Sequence, residues 1–335
     1  MKRNLLTLSS ELILVYVCCI SIAGIIGIIV TNSLESEHIT STTDLLYATL
    51  ETNELAALSS RMGQMQSTTT DSFTQFTKNI QFQHDYAYDV FTNEYSIAKN
   101  YTNYDTMDTN PSGTVDGVNE DVSFYYEQST SGTSIYLNQS SLFDNSHGSM
   151  YKSTDLYAGL YMGFESDGLY RHYPYFDVST TYPSLRIYCY HSGVYLYGYD
   201  PRCRLWYNLA TNNTGDVVFT EPYFDATTNL AMITVARTVT INSNLLGVVA
   251  ADLSIAPLST FILSANVLES GYAYMCTSNS VLIIHPDIDY DSIYYINDIE
   301  FTSTVESTAF DTILSTFVFT GLSGQQKFTK NGQPW

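Results

Sequence analysis

Two hydrophobic patterns follow one another along the first part of the chain. Residues 12–30 form an uncharged, apolar run. A helix of about 19 residues at ~1.5 Å each is ~30 Å long, which matches the hydrocarbon core of a bilayer. Basic residues precede the run and acidic residues follow it, so we predict a transmembrane helix with residues 1–11 in the cytoplasm and residues 31–335 outside. A cleaved signal peptide is the alternative, although its apolar region is usually shorter.

A helical rhythm follows within residues 31–99. One face repeats at steps of three and four residues, as a long amphipathic helix requires, and it comprises Leu55, Leu58, Met62, Met65, Thr69, Phe73, Phe76 and Ile80. We predict an extracellular stalk helix, with a homodimer contact along it. A helix lying on lipid is the alternative, but the polar face is poor in Lys and Arg.

Short runs rich in Tyr, Ile, Val and Phe, separated by Gly, Asp and Ser, make up most of the chain after a polar loop at residues 101–119. Such runs are typical of strands. We predict strands at residues 134–137, 185–190, 193–197, 232–239, 247–252, 271–276 and 280–286. Asp200 and Pro201 suit the first positions of a helix that runs to about residue 210, and residues 257–268 suit another helix.

These elements predict an α+β fold. The first module spans residues 100–255 and the second spans residues 256–335. The last residues suggest a strand that enters a further hairpin, yet the sequence stops there. We therefore expect the second module to be truncated.

Charge and motif content narrow the function. The chain has 13 Lys+Arg against 34 Asp+Glu and a formal charge of −21, so it offers no basic footprint for nucleic acid. We find no phosphate-binding, zinc-protease or nucleophile-elbow motif and expect no catalysis, no metal and no cofactor. Asp287, Asp289 and Asp291 have part of a calcium-loop spacing, but Ser292 stands where that loop requires glycine.

The cysteines and sequons fit an exported chain. Cys18 and Cys19 lie in the apolar run, whereas Cys189, Cys203 and Cys276 lie where disulfides persist. Our first choice for a disulfide is Cys189–Cys203, because it would brace the loop that leads to the basic stretch described next. Three sequons are candidate N-glycosylation sites: Asn100, Asn138 and Asn212.

Two of the scarce basic residues lie close together in one aromatic stretch. Residues 199–207 are Tyr-Asp-Pro-Arg-Cys-Arg-Leu-Trp-Tyr, and the carboxylates of Asp225 and Asp252 follow downstream. A planar guanidinium binds a carboxylate through two parallel hydrogen bonds, and carboxylates with tyrosine faces attract an ammonium. The stretch and the two carboxylates are therefore the parts needed to hold a small zwitterion.

The order of these segments resembles double Cache sensor domains, the extracellular ligand-binding modules of chemoreceptors, sensor kinases and some channel subunits. The resemblance covers residues 31–335 and is carried by the stalk and by the segments YDPRCRLWY, TEPYFD, GVVAADLS and GYAYMCTSNSVLIIHPD. It implies two PAS-like modules on antiparallel sheets, the second of them incomplete here.

The same segments are similar to a subset of that family that binds free amino acids. The resemblance implies that the ligand carboxylate is held by Tyr199, Arg204 and Trp206. It implies that the ammonium is held by Tyr207, Asp225 and Asp252, with Tyr223 as a further pocket aromatic. Leu205 departs from the family pattern, because many relatives have proline there.

Structural roles for these residues remain the alternative. Trp206 and Tyr207 would then be core aromatics, Arg204 would pair with Asp225, and Asp252 would cap the helix that follows it.

The function that we expect is an extracellular sensor, anchored in the plasma membrane, that binds an amino acid or a related amine and signals across the bilayer. One alternative is a channel-accessory or adhesion ectodomain with no active pocket. Another is the sensor part of a receptor kinase or cyclase whose catalytic domain lies beyond residue 335.

Overall fold

The structure is a computed structural model, and it divides the chain into two compact units. One unit comprises residues 74–254, and the other comprises residues 1–73 with residues 255–335. The residues that the structure describes are 15–20, 26–31, 42–93, 124–126, 136–174, 189–191, 194–196, 200–225, 231–264, 272–289, 292–300, 315–316, 324–326, 329–330 and 333–334.

Helices and strands occur in both units. The helices are α1 (Thr42–Thr92), α2 (Leu137–Ser140), α3 (Phe143–Ser153), α4 (Leu205–Asn212), α5 (Ile255–Leu263) and α6 (Ile296–Glu300), and a 3₁₀ turn spans Pro201–Cys203. The strands are β1 (Val15–Ile20), β2 (Ile26–Thr31), β3 (Phe124–Tyr126), β4 (Tyr157–Phe164), β5 (Tyr170–Tyr173), β6 (Cys189–His191), β7 (Val194–Leu196), β8 (Val218–Phe219), β9 (Tyr223–Phe224), β10 (Ala231–Ile241), β11 (Asn244–Leu253), β12 (Tyr272–Thr277), β13 (Leu282–Ile284), β14 (Gly324–Gln326), β15 (Thr329–Lys330) and β16 (Gln333–Pro334).

The long N-terminal helix is confirmed. The predicted apolar face is buried from Leu58 to Ile80, and it continues through Gln83, Ala87 and Val90 at the same spacing of three and four residues. The helix occupies residues 42–92 of the predicted 31–99. This periodicity follows from 3.6 residues per turn, which returns one stripe of side chains to the same side.

The last part of α1 packs within the unit of residues 74–254. The ring of Phe76 meets Tyr157 edge-on with centroids 5.8 Å apart, and Asn79 Nδ2 donates to Tyr157 Oη at 2.6 Å. Farther along, Tyr86 lies edge-on to Phe143 of α3 at 5.7 Å. These contacts hold α1 and α3 against one face of the sheet.

That sheet is antiparallel, as predicted. In the described part of the unit its strands follow the order β3-β5-β4-β11-β10-β8, and β9 pairs with β10. Strands β10 and β11 turn at Asn242 and Ser243, both with positive φ (50° and 65°), as a two-residue hairpin with the sheet's twist requires. They pair over nearly their whole length and are longer than the predicted strands at 232–239 and 247–252.

The other unit contains a second antiparallel sheet, in the order β13-β12-β2-β1-β14. The hairpin predicted over residues 271–286 is confirmed, since β12 pairs antiparallel with β13. Helix α5 begins at Ile255 and ends at Leu263, earlier than the predicted residue 268.

The predicted transmembrane helix over residues 12–30 is not confirmed. The structure has β1 and β2 in that run, paired antiparallel, and β2 also pairs with β12. Many of these residues are Ile and Val, whose branched side chains favour strands, and an apolar run alone does not distinguish a strand from a helix. Among the described residues, no helix is long and apolar enough to cross a bilayer.

Other sequence predictions have mixed outcomes. The strand predicted at residues 134–137 is wrong at its end, because Tyr136 lies in a turn and Leu137 begins α2. The boundary between the two units lies at residues 254 and 255, beside the predicted module boundary at residues 255 and 256. No group of His, Cys, Asp and Glu in the described ranges is arranged to hold a metal.

The structure tests part of the cysteine predictions. Cys203 is disulfide-bonded, and Cys276 of β12 is buried. Strand β6, which begins at Cys189, contacts the 3₁₀ turn that contains Cys203. Cys189 therefore stays the predicted partner.

The sequons stay predictions. Asn212 is exposed at the end of α4 and Asn138 lies in α2, whereas Asn100 is outside the described residues.

Two phenylalanines of α1 differ in burial, because only one of them belongs to the buried stripe of side chains along the helix. Phe76 is 1% exposed and Phe82 is 52% exposed. We expect Phe76→Ala to lower the free energy of unfolding by about 3–5 kcal/mol, because it leaves a cavity, and Phe82→Ala to lower it by less than about 1 kcal/mol. Urea unfolding of both variants measures the difference, and equal losses would show that the stripe is not buried as described.

Candidate functional site

A buried ion pair shapes the entrance to α4. Asp200 accepts the backbone N–H of Arg202 at 2.9 Å and binds its guanidinium through Nε at 2.9 Å and Nη2 at 2.6 Å. Arg202 Nη1 also donates to the backbone carbonyl of Glu165 at 2.8 Å. Gly168 (φ +71°) lies against this pair, with no room for a side chain. The predicted N-cap at Asp200 is confirmed, and it caps the 3₁₀ turn.

The residues that follow the Asp200–Arg202 pair in the aromatic stretch pack against the sheet. Arg204 is the N-cap of α4, and Trp206 is 2% exposed. The indole meets the ring of Tyr161 edge-on, with centroids 5.0 Å apart. A Cβ at Gly163 would lie 2.6 Å from the Cβ of Pro201 and 3.1 Å from the indole, so the missing side chain lets the 3₁₀ turn and Trp206 approach β4.

The carboxylate of Asp252 lies at the centre of a hydrogen-bond network on this face. In the ladder Asp252 is opposite Thr234 of β10 and Gly159 of β4. Asp252 Oδ1 accepts from Tyr161 Oη at 2.5 Å and from Thr234 Oγ1 at 2.6 Å. Tyr223 Oη lies 2.6 Å from Thr234 Oγ1 and donates to it, because the Thr234 proton points to Asp252. Oδ2 takes no hydrogen bond from the described residues.

Burial and two neighbouring charges set the pKa of Asp252. The pKa is raised from 3.8 to about 7, mainly because the carboxyl group is buried and also because the carboxylate of Asp225 is near. The hydrogen bonds from Thr234 and Tyr161, and the positive charge of Arg204, oppose that rise. The carboxylates of Asp225 and Asp252 thus repel each other, and a cation between them would relieve that repulsion.

The structure brings three of the predicted site residues to one face of the sheet: Trp206, Tyr223 and Asp252. Two more, Arg204 and Asp225, lie near enough for their charges to act on the pKa of Asp252.

The two remaining predicted site residues are Tyr207 and Tyr199, and the structure describes no contact of either with the Asp252 network. Tyr207 is buried, and its hydroxyl donates to Glu165 Oε2 at 2.8 Å. Burial and the charge of Glu165 raise the pKa of Tyr207. The prediction for Tyr199 lies outside the described residues. Asp252 binds Tyr161 and Thr234 across the sheet, and no described contact supports the alternative of a cap for α5.

Sequence reasoning missed three residues of this face. Tyr161 and Thr234 donate to Asp252, and His172 stacks on Tyr161 with ring centroids 5.4 Å apart. Thr234 could have been found from the pairing of two adjacent predicted strands joined by a short turn. Tyr161 and His172 lie on strands that the sequence did not predict, so only the folded sheet reveals them.

Part of the chain matches a known family. Residues 128–260 match the family model of the methyl-accepting chemotaxis protein-like first PDC sensor domain. We refer to these residues as the PDC sensor domain, after the model that they match. The resemblance to double Cache sensor domains is therefore confirmed, and the site described above lies within the PDC sensor domain.

Curated relatives match over part of this chain. The chain is 40% identical over 89 residues to the methyl-accepting chemotaxis protein PscA of Pseudomonas syringae pv. tomato, which is 27% of this chain and 14% of the relative. It is 31% identical over 88 residues to McpC of Bacillus subtilis, which is 26% of this chain and 13% of that relative. The chain thus spans about one seventh of the length of these relatives.

Solved structures give weaker likenesses. The ligand-binding domain of the Pseudomonas aeruginosa PAO1 chemoreceptor PctC in complex with GABA is 27% identical, with a TM-score of 0.30 over 39% of this chain and 50% of that one. The PctB domain of the same organism in complex with L-Arg is 26% identical, with a TM-score of 0.33 over 45% and 55%.

The buried carboxylate predicts a pH-dependent stability. Between pH 3.8 and about 7 the folded PDC sensor domain keeps a proton on Asp252 that the unfolded chain has lost. This group's contribution to stability therefore falls as pH rises through that window and stays low above it. Asp252→Asn, which is neutral at every pH, should raise the free energy of unfolding by about 1–4 kcal/mol at pH 8 without ligand and change it little at pH 4.

Urea unfolding at the two pH values measures this effect. Asp216→Asn is the matched control, because Asp216 is exposed in the turn after α4 and its replacement should change neither value. A loss of stability in Asp252→Asn at pH 8 would contradict the interpretation of Asp252 as a strained, uncompensated carboxylate.

Proposed function

We propose that the PDC sensor domain binds a free amino acid or a related amine. Arg204 and Trp206, with Tyr199, hold the ligand carboxylate. Asp225 and Asp252, with Tyr223 and the ring face of Tyr207, surround its ammonium. The observation that carries the proposal is that a positive charge, Arg204, and a negative charge, Asp225, both lie close enough to the buried Asp252 to act on its pKa.

The charges of the site complement a zwitterion. Arg204 supplies a fork for two parallel hydrogen bonds to a carboxylate. Asp252 Oδ2 takes no hydrogen bond from the described residues, so it is open to an ammonium, and the repulsion from Asp225 favours a cation there. A ligand that carries only one of the two charges would satisfy only half of this site.

The aromatic residues set the environment of these charges. Trp206 is almost fully buried and packs on Tyr161, which orients the Asp252 carboxylate. Electrostatic interactions strengthen where water is excluded. A buried site therefore distinguishes ligands by the distance between their two charges more sharply than exposed groups would.

We further propose that the chain is the sensing part of a plasma-membrane receptor, without catalytic activity of its own. Its match to chemoreceptor sensor domains supports this role. Residues 12–30 would be the single anchor in this chain, residues 1–11 cytoplasmic and residues 31–335 extracellular. Ligand binding would favour one of two conformations and move the stalk helix, which would also form the contact of a homodimer.

The binding proposal predicts stabilisation by at least one amino acid. The melting temperature of the full chain, purified in mild detergent, should rise with ligand concentration, because a ligand that binds only the folded state stabilises it by RT ln(1+[L]/Kd). A thermal shift screen of the twenty amino acids and common amines measures this. No shift with any compound would refute the proposal and favour an ectodomain without an active pocket.

Substitutions at Arg204 test how the ligand carboxylate is held. Arg204→Ala should weaken binding of any amino acid found in the screen by about 100-fold, since a charge-assisted contact is lost. Arg204→Lys keeps the charge but not the fork and should weaken binding less. Lys152→Ala, an exposed cation on α3, is the control, and equal losses in all three variants would contradict a specific role.

The anchor proposal predicts how the chain fractionates. The full chain should remain with membranes after alkaline carbonate extraction, whereas a chain that lacks residues 1–30 should be released. If the full chain is released as readily, residues 12–30 do not span the bilayer.

A further inference from the structure

The described residues give the buried carboxyl group of Asp252 only neutral hydrogen-bond donors. Asp252 is 7% exposed, and its Oδ1 accepts from the hydroxyls of Tyr161 at 2.5 Å and Thr234 at 2.6 Å. No cationic side chain in the described ranges forms an ion pair with it. A carboxyl group that loses its hydration without gaining a paired cation is more stable as the neutral acid.

The charges that surround Asp252 also favour the neutral acid. The carboxylate of Asp225 opposes a second negative charge beside it, whereas the positive charge of Arg204 is the weakest of the influences on Asp252. Together with burial, which is the largest influence, they raise the pKa of Asp252 to about 7. The empty site therefore carries a proton on Asp252 in mildly acidic solution.

The other titratable groups on this face do not supply a proton in that range. His172 of β5 stacks on Tyr161, but burial lowers the pKa of His172 to about 4, so its ring is already neutral at pH 6. The remaining titratable side chains here are tyrosines, a residue type that ionises near pH 10: Tyr161, Tyr170 and Tyr223. Asp252 is therefore the group on this face that changes its charge near neutral pH.

A ligand ammonium would reverse the balance at Asp252. A positive charge within a few ångströms of a carboxyl group lowers its pKa by about 1–3 units. In the proposed site the ammonium lies beside Asp225 and Asp252, where it stabilises both carboxylates and relieves their repulsion. The form of Asp252 that binds the ammonium well is the ionised one, whereas the form that suits the empty site is the acid.

We propose that the site exchanges a proton for its ligand, so that Asp252 is a neutral acid in the empty site and releases its proton to solvent when an amino acid binds. This inference rests on the proposed function, because it concerns the same site. The O–H bond of the Asp252 acid breaks, its proton passes to the buffer, and the ammonium keeps its own three protons. Ligand affinity then falls in acid, although the amino acid remains a zwitterion there.

Calorimetric titration of the full chain in mild detergent measures the exchanged proton. Each of the twenty amino acids that raises the melting temperature is titrated at pH 6 in phosphate and in imidazole, two buffers with different enthalpies of ionisation. The difference between the two heats gives the number of protons released, and we expect about half to one per ligand. Equal heats in the two buffers would overturn the proposal.

The affinity itself should follow the ionisation of Asp252. A carboxyl group with a pKa of about 7 that falls by about 1–3 units on binding weakens the ligand about 5–50-fold between pH 7 and pH 5. Asp252→Asn should bind more weakly, and its remaining binding should release no proton. Asp216→Asn, at an exposed turn, is the control and should keep the full release. Proton release that persists in Asp252→Asn would contradict the assignment.

A matched pair of threonines tests the assignment if Asp252→Asn binds nothing. The hydrogen bond from Thr234 lowers the pKa of Asp252, so Thr234→Val should move the midpoint of the affinity change to higher pH, by about one unit. Thr238→Val is the control, because Thr238 is buried on the same strand but accepts from the backbone of Gly215 instead. An unchanged midpoint in Thr234→Val would show that another group titrates.

The outcomes distinguish this inference from the proposed function. If the wild-type protein binds an amino acid without releasing a proton, and equally well at pH 5 and pH 7, Asp252 is already ionised in the empty site, and the proposed function stands without this exchange. If no compound in the amino-acid screen binds the wild-type protein, the proposed function fails and this inference fails with it.

Discussion

The antiparallel register of β4, β11 and β10 places Gly159, Asp252 and Thr234 side by side across three strands. Directly opposed residues in such a ladder project to the same face, so the register alone brings the carboxylate beside a hydroxyl on one side and an empty position on the other. A shift of one residue in either pairing would turn Asp252 to the opposite face. The whole candidate site depends on this alignment.

The same face carries an electrostatic strain. Asp252 is buried near Asp225, and both effects raise its pKa. A protein that needed only stability would place neutral side chains here, since an uncompensated buried carboxylate destabilises the folded state. Under the proposed function, the ammonium of a ligand would supply the compensating charge. The hydrogen bonds from Tyr161 and Thr234 orient Oδ1.

Different elements cover the two faces of the sheet. Helices α1 and α3 pack on one face through contacts such as Phe76 on Tyr157. On the other face the Asp200–Arg202 pair holds the turn that precedes α4, and Trp206 packs against Tyr161. The two arginines of one short stretch therefore have different effects: Arg202 stabilises the turn, whereas the charge of Arg204 lowers the pKa of Asp252.

Local patterns in the sequence were enough to predict α1, the strands β10 and β11, the β12–β13 hairpin and the cap at Asp200, because periodicity and capping depend on neighbours in the chain. Residues 12–30 were ambiguous for the same reason, since an apolar, β-branched run suits a strand as well as a membrane helix. Only the tertiary structure decided which residues surround Asp252. Tyr161 is 91 residues away in the chain, and its hydrogen bond depends on strand pairing, which no local pattern encodes.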